Sequence, residues 1–209
     1  GQWLWANSIH HYGIETASSI AVSNMGEVYI GGTILCDGSG SSATFPTVAG
    51  ITGSSSADGI TMTCSDYEPV GFVARLNTNG GFTHAEVVEN ADTFSSVTDI
   101  AIDPKHDDTL YFIGKMGYCD GRSCPSSDSY MVGKFMTDTS LTPAPWKLNW
   151  VDFVEGFTMT EIEMAPEGAI LTGFTEQQTT IGTYSILQDK IVIAKVQSDT
   201  NAGTVVWDW

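Results

Sequence analysis

Positive charge is what this chain has least of. Eight Lys and Arg stand against 25 Asp and Glu, giving a net charge of −17 at pH 7 and a pI near 4.2. A surface of that sign repels phosphate, which excludes nucleic acid and anionic lipid surfaces as partners. Long apolar runs are missing as well, so no membrane-crossing helix and no membrane insertion is expected. No secretory leader is visible at Gly1; either it has been removed or the sequence is a window on a longer chain. Motifs that carry chemistry are absent too. The chain has no Gly-x-Ser-x-Gly elbow, no phosphate-cradling Gly-rich loop with Lys-Ser/Thr, and no His-Glu-x-x-His. It has no Asn-x-Ser/Thr acceptor, so N-glycosylation is not indicated. The question of an enzyme stays open and leans to no; a triad assembled in space is the route by which one would arise without such a motif.

Apolar residues make up 42% of the chain, enough for a packed core, which excludes global disorder. The 22 Gly and 11% aromatics suit many short strands and tight turns. A repeat organises them. Val28-Tyr29-Ile30-Gly31-Gly32 returns as Leu110-Tyr111-Phe112-Ile113-Gly114 and as Ala169-Ile170-Leu171-Thr172-Gly173. Each is a short apolar strand closed by glycine. Each follows another strand-like segment: Ser19-Ile20-Ala21-Val22, Asp99-Ile100-Ala101-Ile102 and Glu161-Ile162-Glu163-Met164. Each precedes a strand carrying a cation: Arg75, Lys134 and Lys195, three of only eight basic residues. A fourth strand closes each unit, often with Trp. The spacing predicts an all-β fold of three four-stranded antiparallel repeats over 15–90, 94–153 and 157–209. Residues 1–10 are expected to be an extra fourth-type strand of a preceding unit.

Loops absorb the unequal repeat spacing. Asn77-Thr78-Asn79-Gly80-Gly81 is a hairpin signal. Residues 36–69 form a long Gly-, Ser- and Thr-rich insertion with little periodicity, of the kind that needs a tie. The four cysteines fall in corresponding loops of the first two repeats. Local pairs, Cys36–Cys64 and Cys119–Cys124, are the natural expectation, although four cysteines allow three connectivities. Disulfides place the protein in an oxidising, extracellular or cell-surface setting. Free thiols are the plainer alternative, and a zinc site is poorly supported by the spacing.

Four-stranded repeats of this length suggest propeller blades. Ile20-Ala21-Val22, Val28-Tyr29-Ile30-Gly31-Gly32, Phe72-Val73-Ala74-Arg75-Leu76 and Asn79-Gly80 closely match a known pattern. The text resembles the secreted bacterial-type β-propeller repeat family, and Thr44-Phe45-Pro46-Thr47 is similar to its loop text. The resemblance implies β-propeller-type blades and specifies no chemistry. Three blades fall short of the ~4–8 that close a ring, so a segment of a larger propeller or array is expected. Its bare faces would need other blades or copies of the same protein as partners.

The remaining candidates each have a plainer reading. Asp103, Asp107 and Asp108 form a carboxylate cluster that Ca2+ could use, or else a solvated turn. His10 and His11 are adjacent, so on a strand they face opposite ways and fit packing better than a metal. Arg75, Lys134 and Lys195 would form either a ring of cations around a channel or structural pairs with acids such as Asp99 or Glu161. Trp3, Trp5, Trp146, Trp150, Trp207 and Trp209 come in pairs with even offsets, which puts both rings of a pair on one face. They serve packing between blades, or else an interface or glycan stacking. Three functions follow in order of preference. The first is a non-catalytic extracellular structural or interaction module of a surface, adhesive or filament-forming protein. The second is a carbohydrate-binding or carbohydrate-active propeller. The third is a calcium-dependent adhesion module.

Overall fold

The computed structural model describes residues 4–10, 13–35, 42–47, 59–63, 69–88, 93–118, 129–137, 146–166, 168–181, 184–197 and 207–208. Every regular element among them is a strand. In chain order they are β1 (Ile14–Val22), β2 (Val28–Leu35), β3 (Ser42–Pro46), β4 (Gly59–Thr63), β5 (Pro69–Leu76) and β6 (Phe82–Val88). Next come β7 (Thr93–Ile102), β8 (Leu110–Tyr118), β9 (Ser129–Thr137) and β10 (Trp146–Val154). The last are β11 (Phe157–Ala165), β12 (Gly168–Thr175), β13 (Thr179–Ile181), β14 (Tyr184–Ile186), β15 (Ile191–Gln197) and β16 (Trp207–Asp208). They form three four-stranded antiparallel sheets, ordered β1-β2-β5-β6, β7-β8-β9-β10 and β11-β12-β15-β16.

The repeated glycine has a physical cause. A Cβ on Gly32 would overlap the carbonyl oxygen of Thr16, one on Gly114 that of Ser96, and one on Gly173 that of Thr158. These three carbonyls occupy one repeat position on the first strand of each sheet. Just beyond them, register shifts fall between Ala17 and Ser19, Val97 and Asp99, and Met159 and Glu161. Each shift is a β-bulge that leaves one residue unpaired and turns the strand. Thr98 and Thr160, the extra residues, donate their hydroxyls to the carbonyls of Ile113 and Thr172.

The sheets pack face to face. The first strand of each sheet lies across the preceding one: β7 against β1, β2 and β5, and β11 against β7, β8 and β9. Tyr29 and Val73 of the first sheet meet Val97, Ile100 and Phe112 of the second in one apolar seam. Tyr111, Ile113 and Val132 of the second meet Phe157, Met159 and Ile162 of the third in another. Burying side chains of this size yields roughly 1.5–3 kcal/mol each, so these seams hold the three sheets together.

Two expectations are corrected. Residues 4–9 form no ladder, and His10 makes a single bridge to Thr44. The segment is a strap held mainly by side chains. Asn7 Nδ2 donates to the carbonyls of Pro46 (3.1 Å) and Gly80 (2.8 Å), and Trp5 lies against Gly80. The insertion is not featureless either. Its β3–β4 hairpin drives the fully buried Phe45 between Phe72 and Phe82, with ring centroids 5.5 and 5.2 Å away. The third sheet carries an equivalent hairpin, β13–β14.

Candidate functional site

The short turns gather at one end of the sheets, and there the first two sheets are latched together. Gly80 at φ +78° closes the β5–β6 turn, where few residues other than glycine sit easily. Asn77 caps it: its Oδ1 accepts from Asn79 N (2.9 Å) and Gly81 N (3.2 Å). The β7–β8 turn is built on Asp103, which is only 4% exposed. Its Oδ1 accepts from Lys105 N (2.8 Å), and its Oδ2 sits 3.0 Å from His106 Nδ1. This ordered turn presents two carbonyls to the neighbouring seam. Tyr29 O–H donates to Asp107 O (2.8 Å), and Trp146 Nε1 donates to Asp108 O (2.9 Å). Asn24 adds two bonds to the same turn, one to Asp107 Oδ1 and one to Pro104 O. Lys105 Nζ in turn donates to Pro166 O, at the turn of the third sheet.

A cleft of about 470 Å³ opens here, lined by Met25, Glu27, Arg75, Thr78, Asp107 and Asp108 among others. Arg75 Nη2 binds Glu27 Oε2 at 2.5 Å, and its guanidinium carbon lies 5.7 Å from the Tyr29 ring centroid. Burial, opposed by Arg75 and assisted by Glu27, Asp108 and Asp107, pushes the Tyr29 hydroxyl up to about 12. It therefore remains a donor across the ordinary pH range. His84 faces Arg75 across the β5–β6 ladder, and its buried Nδ1 has no hydrogen-bond partner among the described residues. Burial, reinforced by Arg75, holds its pKa below the ordinary imidazole value. Arg75, Glu27 and Tyr29 are thus engaged with one another or with the β7–β8 turn.

The predicted residues distribute as follows. Arg75 and Lys134 occupy one repeat position and face Tyr29 and Tyr111 in register; Lys134 Nζ is 5.5 Å from the Tyr111 ring. Lys195 holds the same position opposite Ile170. They lie on the third strand of each sheet, with Lys134 only 5% exposed, so the first two belong to the packed seams. The expected acid partner is also corrected: Arg75 pairs with Glu27 in its own sheet, not with an acid of a neighbouring one. Asp103, Asp107 and Asp108 do not converge, and among the described residues no three His, Cys, Asp or Glu side chains are grouped to hold a metal. His10 Nε2 lies 3.4 Å from Ser8 Oγ on the exposed strap, but among the described residues no carboxylate orients the ring as a triad requires. His11, all four cysteines, Trp3 and Trp209 lie outside the described residues, as does the Trp207 side chain.

Trp146 and Trp150 require a second correction. A register shift between Leu148 and Trp150 adds one residue, and the even offset no longer keeps both rings on one face. Trp146, 1% exposed, enters the seam with the first sheet, stacked 4.8 Å from Phe135. Trp150, 6% exposed, enters the seam with the third, 6.1 Å from Tyr111. Neither offers a face to a glycan.

Sequence reasoning missed the repeat position at each bulge. Ser19 Oγ donates to Asp99 Oδ1 (2.6 Å) and accepts from Ile100 N (3.3 Å). Asp99 Oδ2 accepts from Ile162 N (2.9 Å). One side chain per sheet thus grips the backbone of the next. The signal was present, since Ser19, Asp99 and Glu161 are the polar residues opening each repeated strand.

No family model matches the chain, and the search of curated proteins found no match.

Proposed function

We propose that the chain is a β-propeller-type module that serves structure or protein interaction outside the cell, and that it carries out no catalysis. The observation that supports this most is the reuse of one sheet-to-sheet contact, first strand across the preceding face, at both internal seams. Blades related in this way are what the resemblance to secreted propeller repeats implies. Among the described residues, Asp99, Asp103, Arg75 and Glu27 are engaged at turns and seams. Strong acidity, and four cysteines that fall two and two in corresponding repeat loops, where disulfides are expected, fit an extracellular or cell-surface location.

The module reading is tested by assaying the purified protein against ester, peptide, phosphate and glycoside substrates, with thiols titrated in parallel. No turnover and no reactive thiol are expected. Saturable, heat-labile turnover overturns the non-catalytic reading, and four reactive thiols overturn the extracellular one.

A second reading, glycan binding, draws on one feature. An open recess of about 570 Å³ is lined by Phe153, Glu155, Gln177, Gln178 and Thr180 among others. Phe153 is 43% exposed there, an aromatic face beside amides, a hydroxyl and a carboxylate. A glycan array probed with wild type and Phe153→Ala decides it: binding lost in the variant supports the reading, and no binding by wild type removes it.

A further inference from the structure

The repeat makes an unusual comparison available: the same residue position seen covered and uncovered. Ile100 and Ile162 open the second and third sheets and are 4% and 2% exposed, because each lies against the sheet before it. Ile20, their equivalent in β1, is 67% exposed, and Val22 beside it is 63%. At the other end of the stack the relation is reversed. Val73 and Val132 are fully buried under the following sheet, whereas their equivalent in the third sheet, Ile193, is 62% exposed. Ile191, which matches the 9%-exposed Tyr130, is 88% exposed, and Phe174 on the same face is 41%. One face therefore has the composition of a covered sheet, and one strand has the composition of the strand that covers it.

From this pairing we infer that a second copy of the chain docks head to tail, with β1 of one copy laid across β11, β12 and β15 of the other. Ile20 and Val22 pack on Ile170, Ile191 and Ile193, as Ile162 and Met164 do on the second sheet. The polar register agrees. Ser19 accepts from Ile100 N and Asp99 from Ile162 N, always from one sheet to the next. Glu161 holds that position in the third sheet, on the exposed face. It accepts from the backbone N–H of Ile20 in the docked copy, a bond only this alignment offers. The two surfaces differ, so the contact is heterologous: it closes a ring if the rotation allows and otherwise propagates as a filament.

The contact is testable with variants at exposed positions, where folding is not at stake. Wild type, Ile20→Glu and Ile193→Glu are compared by sedimentation velocity over a concentration series, with thermal melts as a check on folding. Wild type should associate, either into one closed species or into a growing series, and either outcome supports the contact. Each variant alone should be monomeric, since every pairing uses one damaged surface. Mixed in equal amounts, the two should form a heterodimer and nothing larger, because one intact surface remains on each. Wild type monomeric at its highest soluble concentration overturns the proposal. So does either variant associating as wild type does, which would mark a different or self-complementary interface. These outcomes are separate from those that test the module reading: turnover would leave the contact standing, and a monomer would leave a non-catalytic module.

Discussion

The two internal seams differ in how the sheets approach each other. In the first, glycine lines the covered face: a Cβ on Gly31 would lie 2.7 Å from Val97 Cγ1 and 2.8 Å from Ile100 Cγ2. In the second, the equivalent position is the fully buried Ile113. The covering strand keeps its character in both, with Val97 and Ile100 in one and Met159 and Ile162 in the other. The fold therefore fixes the covering strand and tunes the face beneath it. Close approach in the first seam leaves room for a layer of large rings farther out, where Phe135 stacks on Trp146 and Tyr29 meets Trp146 at a tilt. In the second, Ile113 fills the gap directly, and Tyr111 meets Trp150 beyond it.

That difference predicts where each seam breaks. Trp146→Ala should cost most, about 3–5 kcal/mol, because the ring layer is the first seam's substitute for close-range bulk and because Asp108 O loses its donor. Urea denaturation reads it, and a loss below about 1 kcal/mol would show that the rings are dispensable. Ile162→Ala should cost about 2–5 kcal/mol, whereas Ile20→Ala, at the equivalent but exposed position, should stay within about 0.5 kcal/mol at concentrations where the chain is monomeric. Equal losses at both would mean that exposure does not set the value of this repeat position. Gly31→Ala should cost about 1–3 kcal/mol by overpacking, since Val97 and Ile100 must both shift. Ile113→Ala, by contrast, opens a cavity in the other seam. The first variant should be partly rescued by Val97→Ala, which removes Cγ1, the nearest atom to the added methyl, and the second should not, as double-mutant denaturation would show.

Much of this was legible in the sequence. The apolar triplets, their closing glycines and the Asn77–Gly81 turn mark strands because period-2 burial and turn geometry leave local signals. The bulges were not legible. An unpaired Ser, Thr or Asn at 18, 98, 160 or 149 reads like any strand residue, and only the partner's register reveals it. That one extra residue, Asn149, is why Trp146 and Trp150 seemed to share a face and do not. Phe45 was hidden for another reason: a five-residue strand amid Gly and Ser carries little periodicity, and its burial is decided by Phe72 and Phe82, distant in sequence. The Arg75–Glu27 pair is likewise a product of the β2–β5 register, not of either segment alone.

The smallest expected effect concerns protons, and it also separates the seams. His84 sits at the first seam, its ring 6.3 Å from Trp146, with no counterpart at the second. Burial, and then Arg75, hold its folded pKa below the ordinary 6.5, while Glu27 opposes them. Below that ordinary value the unfolded chain takes up a proton that the folded one refuses, so the unfolded state binds more protons and stability falls as pH falls. Glu86, two residues on, acts with the opposite sign. Burial raises its pKa above 4.5, so the folded state binds more protons there, and further acidification offsets part of the loss. His84 acts first on the way down. Between about pH 7 and about pH 5.5, the urea midpoint of wild type should therefore drop more than that of His84→Gln, whose side chain cannot titrate. Because the proton is refused at the first seam alone, Trp146→Ala, which opens that seam to water, should also flatten the dependence, while Ile162→Ala should leave it unchanged. Parallel slopes in all four proteins would place the titrating group elsewhere.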